Sequence, residues 1–188
     1  MNFLRRLFGR VDKEDVTTPS VQDLEKAKKI FFEYSCNHYY MFRDAINFKQ
    51  YHISKEQENE WRNEYIAYWT SKLSVDDLAA VHSLEGADAI ESVPDLLDIA
   101  DKGYSYAKLW VAHAIWSISF KNGVDKKLQK QTLDIAVKLF ESIVEGQVQL
   151  SENHRKEIPD VGMKNLGAST PEEYIVNFAK RKLEDTKK

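Results

Sequence analysis

Hydrophobic positions along this chain recur every three or four residues, and one stretch has almost no polar side. Between Tyr104 and Phe120 the only charged residue is Lys108. Wound at about 100° per residue, Val111, Ile115 and Ile118 form an aliphatic stripe. Leu109, Trp116 and Phe120 form a bulkier one, and Ala107, Ala114 and Ser117 form a face where another backbone fits closely. A helix apolar nearly all round belongs inside a protein. It is shorter than the about 20 apolar residues that crossing a bilayer requires. The pattern therefore predicts a central helix over about 104–121, covered on several sides by others.

The flanking segments read as amphipathic helices. Thr18-Pro19 opens a first long helix, on which Val21, Leu24, Ala27, Phe31, Tyr34, His38, Met41, Phe42 and Ala45 share the apolar side, ending near Phe48. Ser54-Lys-Glu-Gln57 is a capping box for a second, carrying Trp61, Tyr65, Ile66, Tyr68, Trp69 and Leu73. Ser74-Val-Asp-Asp77 starts a third, which Gly86 stops; a helical turn within 87–93 is expected before Pro94 opens a short helix closed by Gly103. The central helix is expected to stop at Gly123. Asp125 caps a helix that runs to Gly146, and Thr170-Pro-Glu-Glu173 starts the last one. Residues 147–169 break the rhythm around Pro159, Gly162 and Gly167, so that segment is either functional or hides a short helix.

No stretch alternates as a strand between glycine-rich turns. The fold class is all-α: antiparallel helix hairpins packed around the central helix. The expected division is an N-terminal amphipathic arm and linker over 1–16, then a single helical domain over 17–188 with 147–169 irregular.

Composition narrows the function more than it directs it. The chain of 188 residues has 27 Lys and Arg against 30 Asp and Glu, a net charge of -3. There is no basic excess to hold a nucleic-acid backbone, so no nucleic-acid partner is expected. Cys36 is the only cysteine, which excludes an intrachain disulfide and a cysteine zinc site and favours a cytoplasmic protein. In residues 1–10, Arg5 and Arg6 interrupt Phe3, Leu4, Leu7 and Phe8, leaving no unbroken apolar core for a secretory signal. With Arg10 they make a short amphipathic segment; attachment to a membrane surface through it is an alternative to the main expectation of no membrane contact.

Ala100-Asp-Lys-Gly103-Tyr-Ser-Tyr-Ala107 resembles the helix–helix corner of Sel1-like repeats, relatives of the tetratricopeptide repeat. Lys121-Asn-Gly123-Val-Asp125 resembles the turn between the paired helices of such a unit, and Phe140 to Gly146 its close. The resemblance covers one unit, residues 95–146, with a single glycine at the turn and a longer span than a standard unit. It implies stacked helix hairpins, a scaffold used to bind other proteins, and it carries over no catalytic residue.

Candidate chemistry is sparse. The histidines are His38, His52, His82, His113 and His154, and none forms HExxH or a comparable ligand pair, so no metal and no cofactor are predicted. His82-Ser-Leu-Glu85 places two polar groups three apart on a helix. His113 shares a side with Leu109, Trp116 and Phe120 and is expected to be buried. Cys36 falls near the polar side of the first helix, within reach of reagents, while His38, two residues on, points away from it. No Walker loop, GxGxxG or GxSxG is present.

Two surface features carry the functional expectation. Asp76, Asp77, Glu85, Asp88, Glu91, Asp95, Asp98 and Asp101 form an acidic run suited to a basic partner. The aromatic side chains from Phe31 to Trp69 exceed what one helix pair buries, and Tyr39, Tyr40 and Tyr68 are expected at the surface, where such residues anchor interfaces. The reading is a non-enzymatic helical module that binds another protein with a basic surface, of the immunity or antitoxin type or an adaptor. The alternative is an enzyme whose site is assembled between helices around His113, recognisable by a pocket with a charged partner and water access.

Overall fold

A computed structural model describes residues 19–120 and 125–187. Ten α-helices occur among them and no strand: α1 (Val21–Glu33), α2 (His38–Arg43), α3 (Lys55–Thr70), α4 (Ala79–Gly86), α5 (Val93–Lys102), α6 (Ser105–Ser119), α7 (Lys126–Glu145), α8 (Glu152–Glu157), α9 (Asp160–Asn165) and α10 (Pro171–Asp185). The protein is all-α, as the periodicity predicts. The arm over 1–16, Thr18 and the turn around Gly123 lie outside the described residues.

The apolar stretch of the sequence is α6. Leu109, Val111, Ala112, Ala114, Ile115 and Ile118 are fully buried because α4, α5, α7 and α10 all pack on this one helix. Its small residues let neighbours approach. A Cβ at Gly103 would lie 2.9 Å from that of Ala107, so the corner between α5 and α6 requires glycine there, with Ala100 and Ala107 both fully buried. The helix ends at Ser119, with Phe120 as its half-exposed cap. A shared pair of buried hydroxyls ties α6 to α7: Ser119 Oγ and Thr132 Oγ1 are 2.7 Å apart.

Three helix starts match the capping signals. Ser54 accepts from the Gln57 N–H, Asp125 from Lys127 and Leu128, and Thr170 from Glu173. The start expected at Ser74 is corrected: α4 begins only at Ala79, after a turn in which Asp77 accepts from the Ala79 N–H. The first helix departs from expectation at both ends. Its cap is Ser20, and it stops at Glu33 instead of running to Phe48. Ser35 and Cys36 both take left-handed backbone conformations, and the Cys36 N–H reaches back to the Phe31 carbonyl at 2.7 Å. Ala45 (φ 56°) closes α2 in the same way, with Ile46 N–H on the Met41 carbonyl.

The segment 147–169 contains α8 and α9, each six residues long. It is anchored by a two-way link in which Ser105 N–H donates to the Gln149 carbonyl and Gln149 N–H to Ser105 Oγ. Arg155 of α8 pairs with Glu172 of α10. The carbonyl of Leu166, just past α9, accepts from Asn177 Nδ2 at 3.1 Å. Together these bonds place α9 against the start of α10.

Candidate functional site

The break after α1 determines what the surface shows. Asn37 caps α2 by accepting from the Tyr39 N–H, and its Nδ2 donates to the Gly86 carbonyl at 2.9 Å and to Asp88 Oδ2 at 3.3 Å. Helix α2 therefore sits beside the turn that follows α4. Had the first helix continued, Phe42 would share its apolar side; on the re-aimed α2 it is 84 % exposed, and Tyr39 is 67 % exposed. Tyr40 is half-buried, with Arg43 over its ring, and Tyr68 is exposed on α3 against Trp69. The rest of the aromatic surplus, including Phe31, Phe48, Trp61 and Tyr65, forms the core between α1 and α3.

The acidic run does not lie on one face. Asp76, Asp77 and Asp95 are exposed, with Asp77 accepting from the Ala79 N–H to start α4. Glu91 is exposed but paired with Arg62, whose guanidinium also donates to the carbonyls of Ala87 and Asp88; burial pushes its carboxyl up and Arg62 pulls it further down. Asp88 is half-buried in a left-handed turn. Glu85 is turned the other way, towards histidines.

That second region is a polar cluster between α4 and α6. Glu85 of α4 lies 3.7 Å from Nε2 of His113 on α6 and 3.9 Å from Nδ1 of its helix neighbour His82. Burial pushes the Glu85 carboxyl up; His82, His113 and the Ser117 hydroxyl together pull it further down, and it ends below the ordinary value. Burial lowers the His113 imidazole, which is accordingly neutral near pH 7. Around it stands an aromatic wall: Trp116 stacks on His113 at 6.1 Å, and Phe178 of α10 meets it edge-on at 5.5 Å. Lys182, one turn beyond Phe178, holds its ammonium 3.8 Å above the Trp116 ring, and burial lowers its pKa.

Beside this cluster an open cleft of about 360 Å³ runs between α9 and α10, with His113 on its inner wall. The imidazole is half-buried, not buried as the sequence predicts: its side chain keeps 20 % exposure. The capping signal marks the start of the last helix but does not single out Tyr174, Phe178 or Lys182 on it. The signal was there in part, since Tyr174, Phe178 and Lys182 recur every four residues.

Cys36 is buried, with its thiol pushed up to about 12 by that burial; the expectation that reagents reach it is corrected. Ser35 and Cys36 leave the helix, so the polar side on which the thiol was placed does not exist there. No three His, Cys, Asp or Glu side chains among the described residues are grouped to hold a metal ion, and no described helix is long and apolar enough to cross a membrane. No family model matches this chain, and neither a curated protein nor a solved structure matches it.

Proposed function

We propose that this chain is a protein-binding module that docks a partner with a basic surface where α2 meets the turn after α4. The observation that supports it best is the exposure of Tyr39 and Phe42 on a helix pinned beside Asp88. Large aromatic side chains standing in water on a fixed backbone lose little conformational freedom on docking. The Asp88 carboxylate beside this helix adds steering and selection against acidic partners. Such a surface suits an adaptor, or an immunity-type inhibitor that covers a basic site on its target. The helix-hairpin scaffold and its resemblance to Sel1-like units agree with a binding role, and the single buried thiol agrees with a cytoplasmic setting.

The test is affinity capture from the native host with the full chain, comparing wild type, Tyr39→Ser/Phe42→Ser and Asp88→Asn. One stoichiometric partner, weakened by salt and lost in both variants while circular dichroism is unchanged, is the expected result. A partner held equally by all three proteins, or none at low salt, overturns the reading.

A second reading, acid–base chemistry at His113, rests on a half-buried imidazole beside a cleft with a carboxylate 3.7 Å from its Nε2; its Nδ1 is buried without a partner, so proton transfer to the cleft requires the ring to turn. A neutral histidine oriented by a carboxylate is a proton acceptor suited to pH 7. Turnover abolished by His113→Gln, and kept by Tyr39→Ser, would distinguish it from the first reading.

A further inference from the structure

We propose that the cleft between α9 and α10 binds a small organic acid with a flat apolar body, its acid group held by Arg181 and Lys182 and its body laid on Phe178 and Tyr174. The proposal stands on the cleft and needs neither protein binding at α2 nor proton transfer at His113.

Four observations converge. The cleft, at about 360 Å³, falls at the small end of ligand pockets and suits a molecule of one or two rings. Its wall combines the Tyr174 and Phe178 rings with Leu166, an apolar surface against which a flat body packs. Two cationic side chains, Arg181 and Lys182, line it together, and neither makes an ion pair among the described residues. Lys182 is the more telling: its ammonium rests on the Trp116 face instead of on a carboxylate, and burial disfavours its charge. An acid group entering the cleft supplies the missing counter-charge.

The nearby carboxylates do not already fill this role. Glu85 is engaged with the two histidines and Ser117 and is not a lining residue; it attracts Lys182 but makes no ion pair with it. Asp185 lines the mouth and draws on Lys182, so the lining carries two cations against one carboxylate. Glycine at 162 keeps the entrance in shape, since a Cβ there would lie 3.2 Å from the Tyr174 ring and 3.1 Å from Pro159. The carbonyl bond from Asn177 holds that wall still. Arginine's planar fork takes a carboxylate or a phosphate equally, and the probes separate the two.

The experiment titrates the full chain with benzoate, phenyl phosphate, benzyl alcohol and inorganic phosphate, read by ligand-observed NMR and thermal shift. Saturable binding of benzoate or phenyl phosphate is expected, with benzyl alcohol and inorganic phosphate each roughly tenfold weaker or more, as for loss of one charge-assisted contact or of the apolar body. Lys182→Met and Arg181→Gln should each weaken the acid probe roughly tenfold, and Lys182→Arg should restore most of it. Benzoate against phenyl phosphate identifies which acid group is preferred. Equal binding of benzyl alcohol, indifference to Lys182→Met and Arg181→Gln in folded protein, or no saturable response from either acid below about 10 mM overturns the proposal.

Discussion

Asn37 is fastened to Gly86: its Nδ2 donates to the Gly86 carbonyl at 2.9 Å, across two elements far apart in the chain. The same side chain caps α2 through the Tyr39 N–H. One amide thus ends one helix break, begins the next helix and sets its position against α4. Asn37→Ala removes both bonds, and we expect a loss of about 1–3 kcal/mol in urea unfolding. Asn37→Asp keeps the cap but loses the donor and adds charge beside Asp88, so it should fall at least as far as a lost interior hydrogen bond, about 1 kcal/mol. Wild-type stability in both variants would mean the link does not hold α2.

Ala45 sits at φ 56° on the surface, a conformation that costs a side chain about 1 kcal/mol and glycine almost nothing. Ala45→Gly should raise the urea midpoint, by a gain of about 0.5–1 kcal/mol. Ser35→Gly relieves the same kind of strain but forfeits the bond from the Tyr65 hydroxyl, 3.2 Å away. It should therefore gain less than Ala45→Gly.

At Gly86 there is no room for a methyl group. An added Cβ would lie 2.8 Å from Ser35 Oγ and 2.9 Å from Ser35 Cβ. Gly86→Ala is expected to cost about 1–3 kcal/mol by overpacking. Combining it with Ser35→Gly removes the clashing atoms, so the double variant should recover most of that loss. Simple additivity in the double-mutant cycle would show that the two sites do not touch.

Stability should fall on acidification in two stages. Folded His113 is held neutral below its ordinary value of 6.5, so the folded state takes up its proton later than the unfolded chain. Its contribution is complete above 6.5 and declines as pH drops from there towards the folded pKa. Glu85 is likewise depressed, from an ordinary 4.5, so its contribution is complete above 4.5 and is lost as pH falls through its folded pKa. In urea midpoints measured across pH, His113→Gln should remove the first stage and, because His113 helps hold Glu85 down, also weaken the second, whereas Glu85→Gln should remove the second and leave the first in place.

The Cys36 thiol is 9 % exposed and pushed up to about 12, so thiolate is scarce near neutrality. At pH 8 a disulfide reagent should label the native chain at least 100-fold more slowly than the urea-unfolded chain, in line with a pKa about three units above that of a free cysteine. Rapid stoichiometric labelling of native protein would contradict the buried placement.

The sequence by itself determined the helical class, the burial of α6, the starts of α3, α7 and α10, and the stops at Gly86, Gly103 and Gly146. These signals are local: apolar spacing reports which side of a helix is covered, and a capping side chain bonds to backbone only two or three residues away. Tertiary structure decided the rest. Ser35 and Ala45 close helical segments in left-handed conformations without glycine, so nothing in the local sequence marks those ends. The cost of each is small enough for bonds such as Asn37 to Gly86 and Tyr65 to Ser35 to overcome. The first of these breaks turns Phe42 from a core position into an exposed one. The cleft has the same origin. Glu85, His113 and Lys182 stand on three helices, and no spacing along the chain records that α4 and α10 both pack on α6. Burial between those helices then lowers the pKa values of His113 and Lys182, because a low-dielectric interior disfavours charge that neither residue's own sequence neighbourhood would alter.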